Sequence, residues 1–204
     1  MDAGATVLDL GAGTGKLTRV LADRYARLIA VEPLDELRAI LGERVPKADV
    51  RAGAAEAIPL ADAEVDAVFA GQAFHWFAND VAVREIARVL RPGGVLALLW
   101  NHSGEPSPLP KAYRRRLGEL HDEGRPAPID ERILERFPFG EEHEDAVAHE
   151  QVSSRDDVLA FAASVSWIAK RVDRAQVLEE LAALLPEGDY VFPMRTEVTW
   201  ATRT

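Results

Sequence analysis

The sequence has 204 residues, with 24 basic and 34 acidic side chains, so its formal net charge is −10. This length fits one domain that can fold without disulfides, and the absence of cysteine excludes disulfides, thiolate metal sites and cysteine nucleophiles. Neither half has the basic surface that nucleic acids or membranes require of a partner. The chain contains no apolar run of membrane-helix length and does not open with a signal-peptide pattern, so we expect a cytoplasmic protein.

The first half alternates short apolar runs with amphipathic segments. In chain order, the pattern predicts a strand at 6–10, a helix at 17–25, a strand at 28–31, a helix at 36–41, a weak strand at 49–51, a strand at 65–70, a helix capped by Asp80 that ends before the Arg-Pro-Gly-Gly of 91–94, and a strand at 95–100. The last strand is nearly all apolar, as expected for a central strand buried on both faces. This alternation is typical of an α/β fold whose parallel sheet has helices on both sides.

The second half is less regular. In chain order we predict a proline-rich loop at 103–110, a helix at 111–123, a break at 124–128 and an edge strand within 141–150. Next comes a helix capped by Ser153 or Ser154 that runs to about Ala163. A capping box of Asp173 and Gln176 then opens a helix that buries Val177, Leu181 and Leu184, and an extended segment follows at 190–202. The first half therefore carries the more regular pattern.

The most informative stretch is Val-Leu-Asp-Leu-Gly-Ala-Gly-Thr-Gly-Lys-Leu at 7–17. It leads from a predicted strand into a predicted helix. Glycines at such a turn allow positive φ and let a ligand approach the backbone closely. Their spacing is Gly-x-Gly-x-Gly at Gly11, Gly13 and Gly15, and Asp9 lies two residues before the first.

Two other glycine-rich motifs do not fit this spacing. A phosphate-binding P-loop would require glycine at Leu10 and serine or threonine at Leu17. A dinucleotide-binding fingerprint would require its third glycine at Lys16. The spacing therefore indicates neither of them.

Five motifs, in order, resemble those of class I S-adenosylmethionine-dependent methyltransferases. They are the glycine-rich stretch of 7–17, the acidic Glu32 at the end of the second strand, Ala-Glu-Ala-Ile-Pro-Leu at 55–60, Gly-Gln-Ala-Phe-His-Trp-Phe at 71–77 and Leu-Arg-Pro-Gly-Gly at 90–94. The His-Trp pair and the closing Arg-Thr-Glu-Val-Thr-Trp of 195–200 are similar to the small-molecule branch, which includes ubiquinone-biosynthesis-like and trans-aconitate-like methyltransferases.

The resemblance implies a Rossmann-like, doubly wound, seven-stranded and mostly parallel sheet of order 3-2-1-4-5-7-6, whose last strand is antiparallel. It implies a single domain, 1–204, with a cofactor-binding half at 5–102 and an acceptor-side half at 103–204. Relatives also carry one or two lid helices, about 11–12 residues each, before the first strand. Here the first strand begins at about Ala5, so we expect these lid helices to be missing, through truncation rather than loss of function.

The function implied by the resemblance is methyl transfer from S-adenosylmethionine, with S-adenosylhomocysteine as product, to a small-molecule acceptor at oxygen or carbon, carboxylates included. Two alternatives stay open: an S-adenosylmethionine-binding protein without transferase activity, and a nicotinamide dehydrogenase on the same fold. We expect a monomer or homodimer without nucleic-acid or membrane partners. We expect no metal, because His143 and His149 lack the His-Glu-x-x-His spacing.

The resemblance carries cofactor binding onto Asp9, Gly11, Ala12, Gly13, Gly15, Glu32, Pro33, Leu37, Ala55, Glu56 and Gln72. A carboxylate at the position of Glu32, ~20 residues after the glycines, can accept hydrogen bonds from both ribose hydroxyls. Asp9, inside an apolar strand, needs hydrogen-bond partners, and we expect the glycine-loop amides or the cofactor's amino group. Ala54 replaces the family's usual acidic residue beside adenine, so we expect the Ala55 backbone and Leu37 to hold that ring.

The candidate catalytic residue is His75, just past the fourth strand, where ligands bind in open α/β sheets. Its neutral imidazole can take a proton from a hydroxyl or carbon acid, whereas a carboxylate acceptor needs no base. A packing role for His75 remains an equal alternative. Candidate acceptor contacts are Trp76, Trp100 and Asn101, with Trp167 as a further aromatic candidate, and we expect at least one of Phe74, Trp76 and Phe77 to pack inward.

Overall fold

The computed structural model describes residues 2–123, 130, 132–165, 168 and 171–204, so the predicted break at 124–128 and Trp167 lie outside the described residues. The strands are β1 (Thr6–Leu10), β2 (Arg27–Glu32), β3 (Asp49–Ala52), β4 (Val65–Gly71), β5 (Leu90–Ser103), β6 (His143–Ser154) and β7 (Asp189–Thr202). The α-helices are α1 (Lys16–Ala22), α2 (Asp35–Arg44), α3 (Asp80–Val89), α4 (Lys111–Glu123), α5 (Arg155–Ser164) and α6 (Arg174–Ala183). Short 3₁₀ helices cover Phe74–Trp76 and Ile133–Arg136. Within this described part of the chain, no helix has both the length and the apolar character needed to cross a bilayer.

The seven strands form one mixed sheet in the order β3-β2-β1-β4-β5-β7-β6, which confirms the predicted fold class and strand order. β1 pairs in parallel with β2 and β4, β2 with β3, and β4 with β5. The chain moves outward from β1 to β3 and then returns to β4 on the other side of β1. The carboxyl ends of β1 and β4 therefore flank the switch point where open α/β sheets bind ligands.

The central strands are buried on both faces because helices cover each side. Successive residues of a strand point to opposite faces. Val7 packs with Leu21 of α1 on one face, whereas Leu8 packs with Ile86 of α3 on the other. α2 contributes the fully buried Leu41, which packs against Ala30 of β2. This doubly wound arrangement explains the nearly continuous apolar runs of β1, β2 and β4.

The chain divides into two compact units. The first comprises Met1–Asn101, Ile129–Ala146 and Glu197–Thr204, and the second comprises His102–Pro128 and Val147–Thr196. The first unit thus includes two segments, 129–146 and 197–204, of the predicted acceptor-side half. The second unit has a core of its own, formed by Tyr113, Leu120, Val158, Ala162, Ile168, Val177, Leu181, Leu185 and Tyr190.

Three helix starts test the predicted caps. Ser154 caps α5, as predicted, and also forms a full capping box with Asp157. Asn79, rather than Asp80, caps α3: its side chain accepts hydrogen bonds from the amides of residues 81 and 82. Asp173 lies at the start of α6 but makes no capping hydrogen bond, because its carboxylate accepts from Arg171 instead.

The remaining predictions in the second half agree closely with the structure. β6 lies at the edge of the sheet, overlaps the predicted edge segment at residues 143–150 and continues to Ser154, and β7 covers the predicted closing segment. α6 buries Val177 and Leu181, whereas Leu184, at the C-cap, is only half-buried.

Candidate functional site

The glycine-rich turn between β1 and α1 lies at the switch point of the sheet. The amides of Gly11 and Ala12 both donate to the carbonyl of Val31, which ties the turn to β2. Gly15 has φ +85°, and a Cβ atom there would lie 2.6 Å from Cδ1 of the buried Leu41, so this position requires glycine. Gly13 also has positive φ, but a Cβ atom there would meet nothing within 4 Å, so this part of the turn faces open space.

The carboxylate of Glu32 organises the turn from the end of β2. Its Oε2 accepts from the Gly13 amide at 2.9 Å, and its Oε1 accepts from the Leu34 amide at 3.0 Å. The side chain is largely enclosed, with the residue 5% exposed. A carboxylate has about four lone-pair positions, so each oxygen keeps acceptor capacity for a further donor. Arg38 steadies the same strand end by donating to the backbone carbonyls of Glu32 and Pro33.

Asp9 is 1% exposed, and its partner is not one of the glycine-loop amides, the first of its two predicted partners; contact with the cofactor's amino group stays a prediction. It shares a strand face with Val7 and therefore points toward α1, where the Thr18 hydroxyl donates to its Oδ2 at 2.6 Å. Burial raises the pKa of Asp9 to about 6, while the hydrogen bonds from Thr18 oppose that rise. Asp9 thus anchors the first turn of α1, and it is Glu32 that holds the glycine-loop amide.

The loop after β3 carries the predicted residues Ala55 and Glu56. Ala55 is buried, and Glu56 is exposed. The Glu56 carboxylate accepts from the side-chain amide of Asn79 at 2.9 Å, so its polar contact is with the N-cap of α3. Pro33 and Leu37, the other predicted members of the adenine side, lie at the start of α2, where Pro33 is exposed and Leu37 half-buried.

The ends of β4 and β5 are joined by Gln72. This residue has φ +55°, and its amide donates to the Leu99 carbonyl at 2.9 Å. Its side-chain Nε2 donates to the Asn101 carbonyl at 2.9 Å, so both backbone and side chain link the two strand ends. Two of the predicted site residues are thereby in direct contact.

An aromatic cluster lies just beyond the same strand ends. The ring centroid of His75 is 5.0 Å from that of Trp76 and 5.6 Å from that of Trp100. Trp76 is 60% exposed, whereas Phe74 and Phe77 are buried, which answers the question of which aromatic residues pack inward. Partial burial lowers the pKa of His75 below its ordinary value of 6.5, so its imidazole is neutral at neutral pH.

The sequence patterns did not indicate three side chains that support these contacts: Thr18, Arg38 and Asn79. A signal existed for two of them. Asn79 directly precedes an amphipathic helix and is a preferred N-cap residue. Thr18 lies three residues before Leu21, so it shares the buried face of α1 toward which Asp9 points.

The acidic segment of 141–150 shows no ligand cluster for a metal. His143 stacks near Trp200, with ring centroids 5.5 Å apart, and His149 is 3.0 Å from the Thr196 hydroxyl. Across the residues that the structure describes, no group of three or more His, Cys, Asp or Glu side chains is placed to hold a metal ion.

Comparison with known proteins places this geometry in a family context. A family model described as a methyltransferase domain matches residues 8–98. A methyltransferase-like protein of Schizosaccharomyces pombe is 35% identical over 195 residues, which cover 91% of this chain and 76% of that protein. An uncharacterized methyltransferase of the same organism is 43% identical over 66% of this chain and 53% of its own length.

More distant relatives have named activities. A malonyl-[acyl-carrier protein] O-methyltransferase of Methylococcus capsulatus is 38% identical over 57% of this chain and 45% of its own length. The ubiquinone/menaquinone biosynthesis C-methyltransferase of Rubrivivax gelatinosus is 39% identical over 45% of this chain and 38% of its own length. The matches to these two proteins, and the match to the uncharacterized Schizosaccharomyces pombe methyltransferase, span about half or less of each relative's length.

Solved structures share the fold. The YcgJ protein of Bacillus subtilis superposes with a TM-score of 0.63 at 18% identity, covering 99% of this chain and 93% of that one. Geranyl diphosphate methyltransferase, solved in complex with S-adenosylmethionine, superposes with a TM-score of 0.58 at 14% identity, covering 100% of this chain and 80% of that one. At these identities the likeness concerns the fold alone.

Proposed function

Because this chain belongs to the class I S-adenosylmethionine-dependent methyltransferase family, we propose that it transfers a methyl group from S-adenosylmethionine to a small-molecule acceptor. The observation that carries the proposal is the bond between Glu32 and Gly13 at the switch point of the sheet. It places a buried carboxylate with spare acceptor capacity beside a glycine turn that faces open space.

The residues present fit the cofactor. Glu32 can accept hydrogen bonds from a ribose diol without releasing the Gly13 and Leu34 amides, because each of its oxygens has a further lone pair. Gly13 leaves room for a ligand where any other residue would project a side chain. We assign the adenine contacts to the Ala55 backbone, in the loop after β3, and to the half-buried side chain of Leu37, in the first turn of α2. Asp9 stabilises the start of α1, next to the glycine turn, by accepting a hydrogen bond from the Thr18 hydroxyl.

Bound S-adenosylmethionine supplies an already electrophilic methyl group, so the protein's task is alignment of the acceptor and exclusion of water. We assign the acceptor to the aromatic cluster of His75, Trp76 and Trp100. The exposed indole of Trp76 and the half-buried Trp100 provide apolar walls. Asn101, at the end of β5, adds a polar group to the same edge of the sheet.

The role that we propose for His75 depends on the acceptor. A neutral imidazole can take the proton of a hydroxyl or a carbon acid as the methyl group is transferred, and a carboxylate acceptor needs no such base. Both O-methylation and C-methylation occur among the named relatives. We propose that His75 acts as the base for hydroxyl or carbon acceptors. For a carboxylate acceptor, no proton has to be removed and His75 has no role as a base.

The test is binding followed by turnover. Calorimetry with S-adenosylhomocysteine and thermal shift with S-adenosylhomocysteine against NADH examine the cofactor, and transfer of radiolabelled methyl to a panel of carboxylic acids, phenols and enolisable ketones examines the reaction. Stabilisation by S-adenosylhomocysteine together with labelled product is the expected result. Stabilisation by NADH alone contradicts the proposal, and cofactor binding without labelled product across the panel favours a binding protein without transferase activity.

A further inference from the structure

Two side chains of α3 hold the backbone of the loop that follows β3. The amide of Ile58 donates to Oε2 of Glu85 at 3.0 Å. Arg88 donates from Nη2 to the carbonyl of Ile58 at 3.0 Å and from Nη1 to the carbonyl of Leu60 at 2.8 Å. Three backbone groups of one short loop are therefore bound by side chains 27 to 30 residues further along the chain.

The two side chains also bind each other. Arg88 donates from Nε to Oε1 of Glu85 and from Nη2 to Oε2, both at 2.7 Å, in the bidentate geometry that makes arginine–carboxylate pairs directional. Asp62 adds a contact to Nη1 at 2.9 Å. The planar guanidinium thus contacts a carboxylate pair and two carbonyls at once, which an ammonium group at the end of a lysine cannot reproduce.

The opposite end of the loop is attached to α3 as well. Glu56 accepts from Asn79, the N-cap of that helix, at 2.9 Å. Ala55, whose backbone we assign to the adenine side of the cofactor site, directly precedes Glu56. The loop of residues 54–60 is therefore attached to α3 at Glu56 and again at Ile58 and Leu60 before any ligand binds.

We propose that Glu85 and Arg88 are positioning residues that preset the loop of 54–60 for the adenine ring. This inference rests on the proposed function, since it concerns how the same cofactor is held. Their effect is preorganisation: a loop already held in its binding conformation loses little further conformational freedom when the cofactor binds, so less of the binding free energy is lost to ordering.

A second arginine provides a matched control. Arg91 pairs with Asp66 at 2.6 Å and donates to the carbonyl of Ala63 at 3.3 Å. Asp66 lies near the start of β4, and its other oxygen accepts from the Thr6 amide at the start of β1. This pair stabilises the edge of the sheet at which β1 and β4 begin, whereas the candidate site lies at the edge where they end.

The experiment compares R88M, R88K and R91M in the full chain. Urea denaturation measures stability, calorimetry measures the dissociation constant for S-adenosylhomocysteine, and hydrogen exchange of the ligand-free protein measures protection of the Ile58 amide. We expect R88M to raise the dissociation constant about tenfold and to speed exchange at Ile58. R91M is expected to lose stability while keeping wild-type affinity. The dissociation constant of R88K is expected to lie between those of wild type and R88M, because lysine keeps the positive charge but lacks the planar guanidinium that makes the bidentate contact.

Each outcome bears on the inference. Equal affinity of wild type, R88M and R88K overturns it, as does a loss of affinity in R91M that matches R88M. If R88M does not fold, R88K gives the same comparison against R91M. If the wild-type protein does not bind S-adenosylhomocysteine at all, the proposed function fails and this inference fails with it, whereas normal wild-type binding with unaffected variants overturns the inference alone.

Discussion

Glu32 and Gly13, 19 residues apart in sequence, are joined by a hydrogen bond of 2.9 Å from the glycine amide to Oε2 of the carboxylate. The bond connects the end of β2 to the open part of the glycine turn. Because the carboxylate is buried, removing it leaves the Gly13 amide without this partner as well as removing an acceptor from the site. Structure and proposed binding at this point therefore depend on one side chain.

Replacement of Glu32 by alanine is expected to weaken S-adenosylhomocysteine binding by at least about tenfold. The ribose hydroxyls lose their acceptors, and the Gly13 amide loses its hydrogen bond to the end of β2. Calorimetry on the purified variant measures the effect. The control is Glu36→Ala, an exposed acid in the first turn of α2 that removes the same charge. Unchanged affinity in Glu32→Ala would contradict the ribose assignment.

A second prediction concerns the pH dependence of methyl transfer to a hydroxyl or carbon acid. Partial burial lowers the pKa of His75, so the neutral imidazole persists below pH 6.5 and the rate falls only as pH drops through that lowered pKa. In the profile of kcat/KM against pH, His75→Gln should remove this acidic limb and reduce the rate about 100-fold. A carboxylate acceptor should show neither change. The same limb in both proteins would exclude His75 as the base.

A third prediction concerns stability. The pKa of Asp9 is about 6 in the folded protein, above its ordinary 3.8, so the folded state binds the proton more tightly than the unfolded state. The associated stabilisation is fully present below pH 4 and is lost as pH rises through about 6, by on the order of 3 kcal/mol. Urea denaturation between pH 4 and pH 7.5 measures the free energy of unfolding.

Asp9→Asn isolates this effect, because the amide oxygen can still accept from Thr18 but does not titrate. Relative to Asp9→Asn, the wild type should therefore have a smaller free energy of unfolding at the high end of this pH range than at the low end. A difference that is constant with pH would show that Asp9 does not titrate in this window. Thr18→Val, which removes the donor, should cost about 1–3 kcal/mol, whereas Thr18→Ser should cost less.

Gly13 and Gly15, two of the three glycines of the turn, should respond differently to alanine. Gly13→Ala should cost about 1 kcal/mol, since only its positive φ opposes a side chain. Gly15→Ala should cost more, because its Cβ atom would also overlap the fully buried Leu41. Urea denaturation measures both losses of stability. Calorimetry measures the affinity for S-adenosylhomocysteine, and Gly13→Ala should lose more affinity than Gly15→Ala for each kcal/mol of stability lost. Equal stability losses would contradict the difference in packing.

Much of the fold and of the cofactor side could be predicted from local patterns. β1, β2 and β4 follow from short apolar runs, and the placement of Glu32 follows from its position at a strand end. The N-cap of α3 was predicted one residue late. Asn79 and Asp80 are both good cap residues, but Asn79 has the extended backbone that a cap requires, whereas Asp80 is already the first residue of the helix.

Local patterns are enough to predict the succession of strands and helices along the chain, the glycine turn and the acid at the end of β2, because each depends on residues within one element or its flanking turn. The contacts of Asp9 with Thr18, of Glu56 with Asn79 and of Arg88 with the loop after β3 become visible only in the folded protein. A hydrogen bond requires donor and acceptor within about 3 Å in a suitable direction. For groups on different elements, that distance is set by how the helices pack on the sheet.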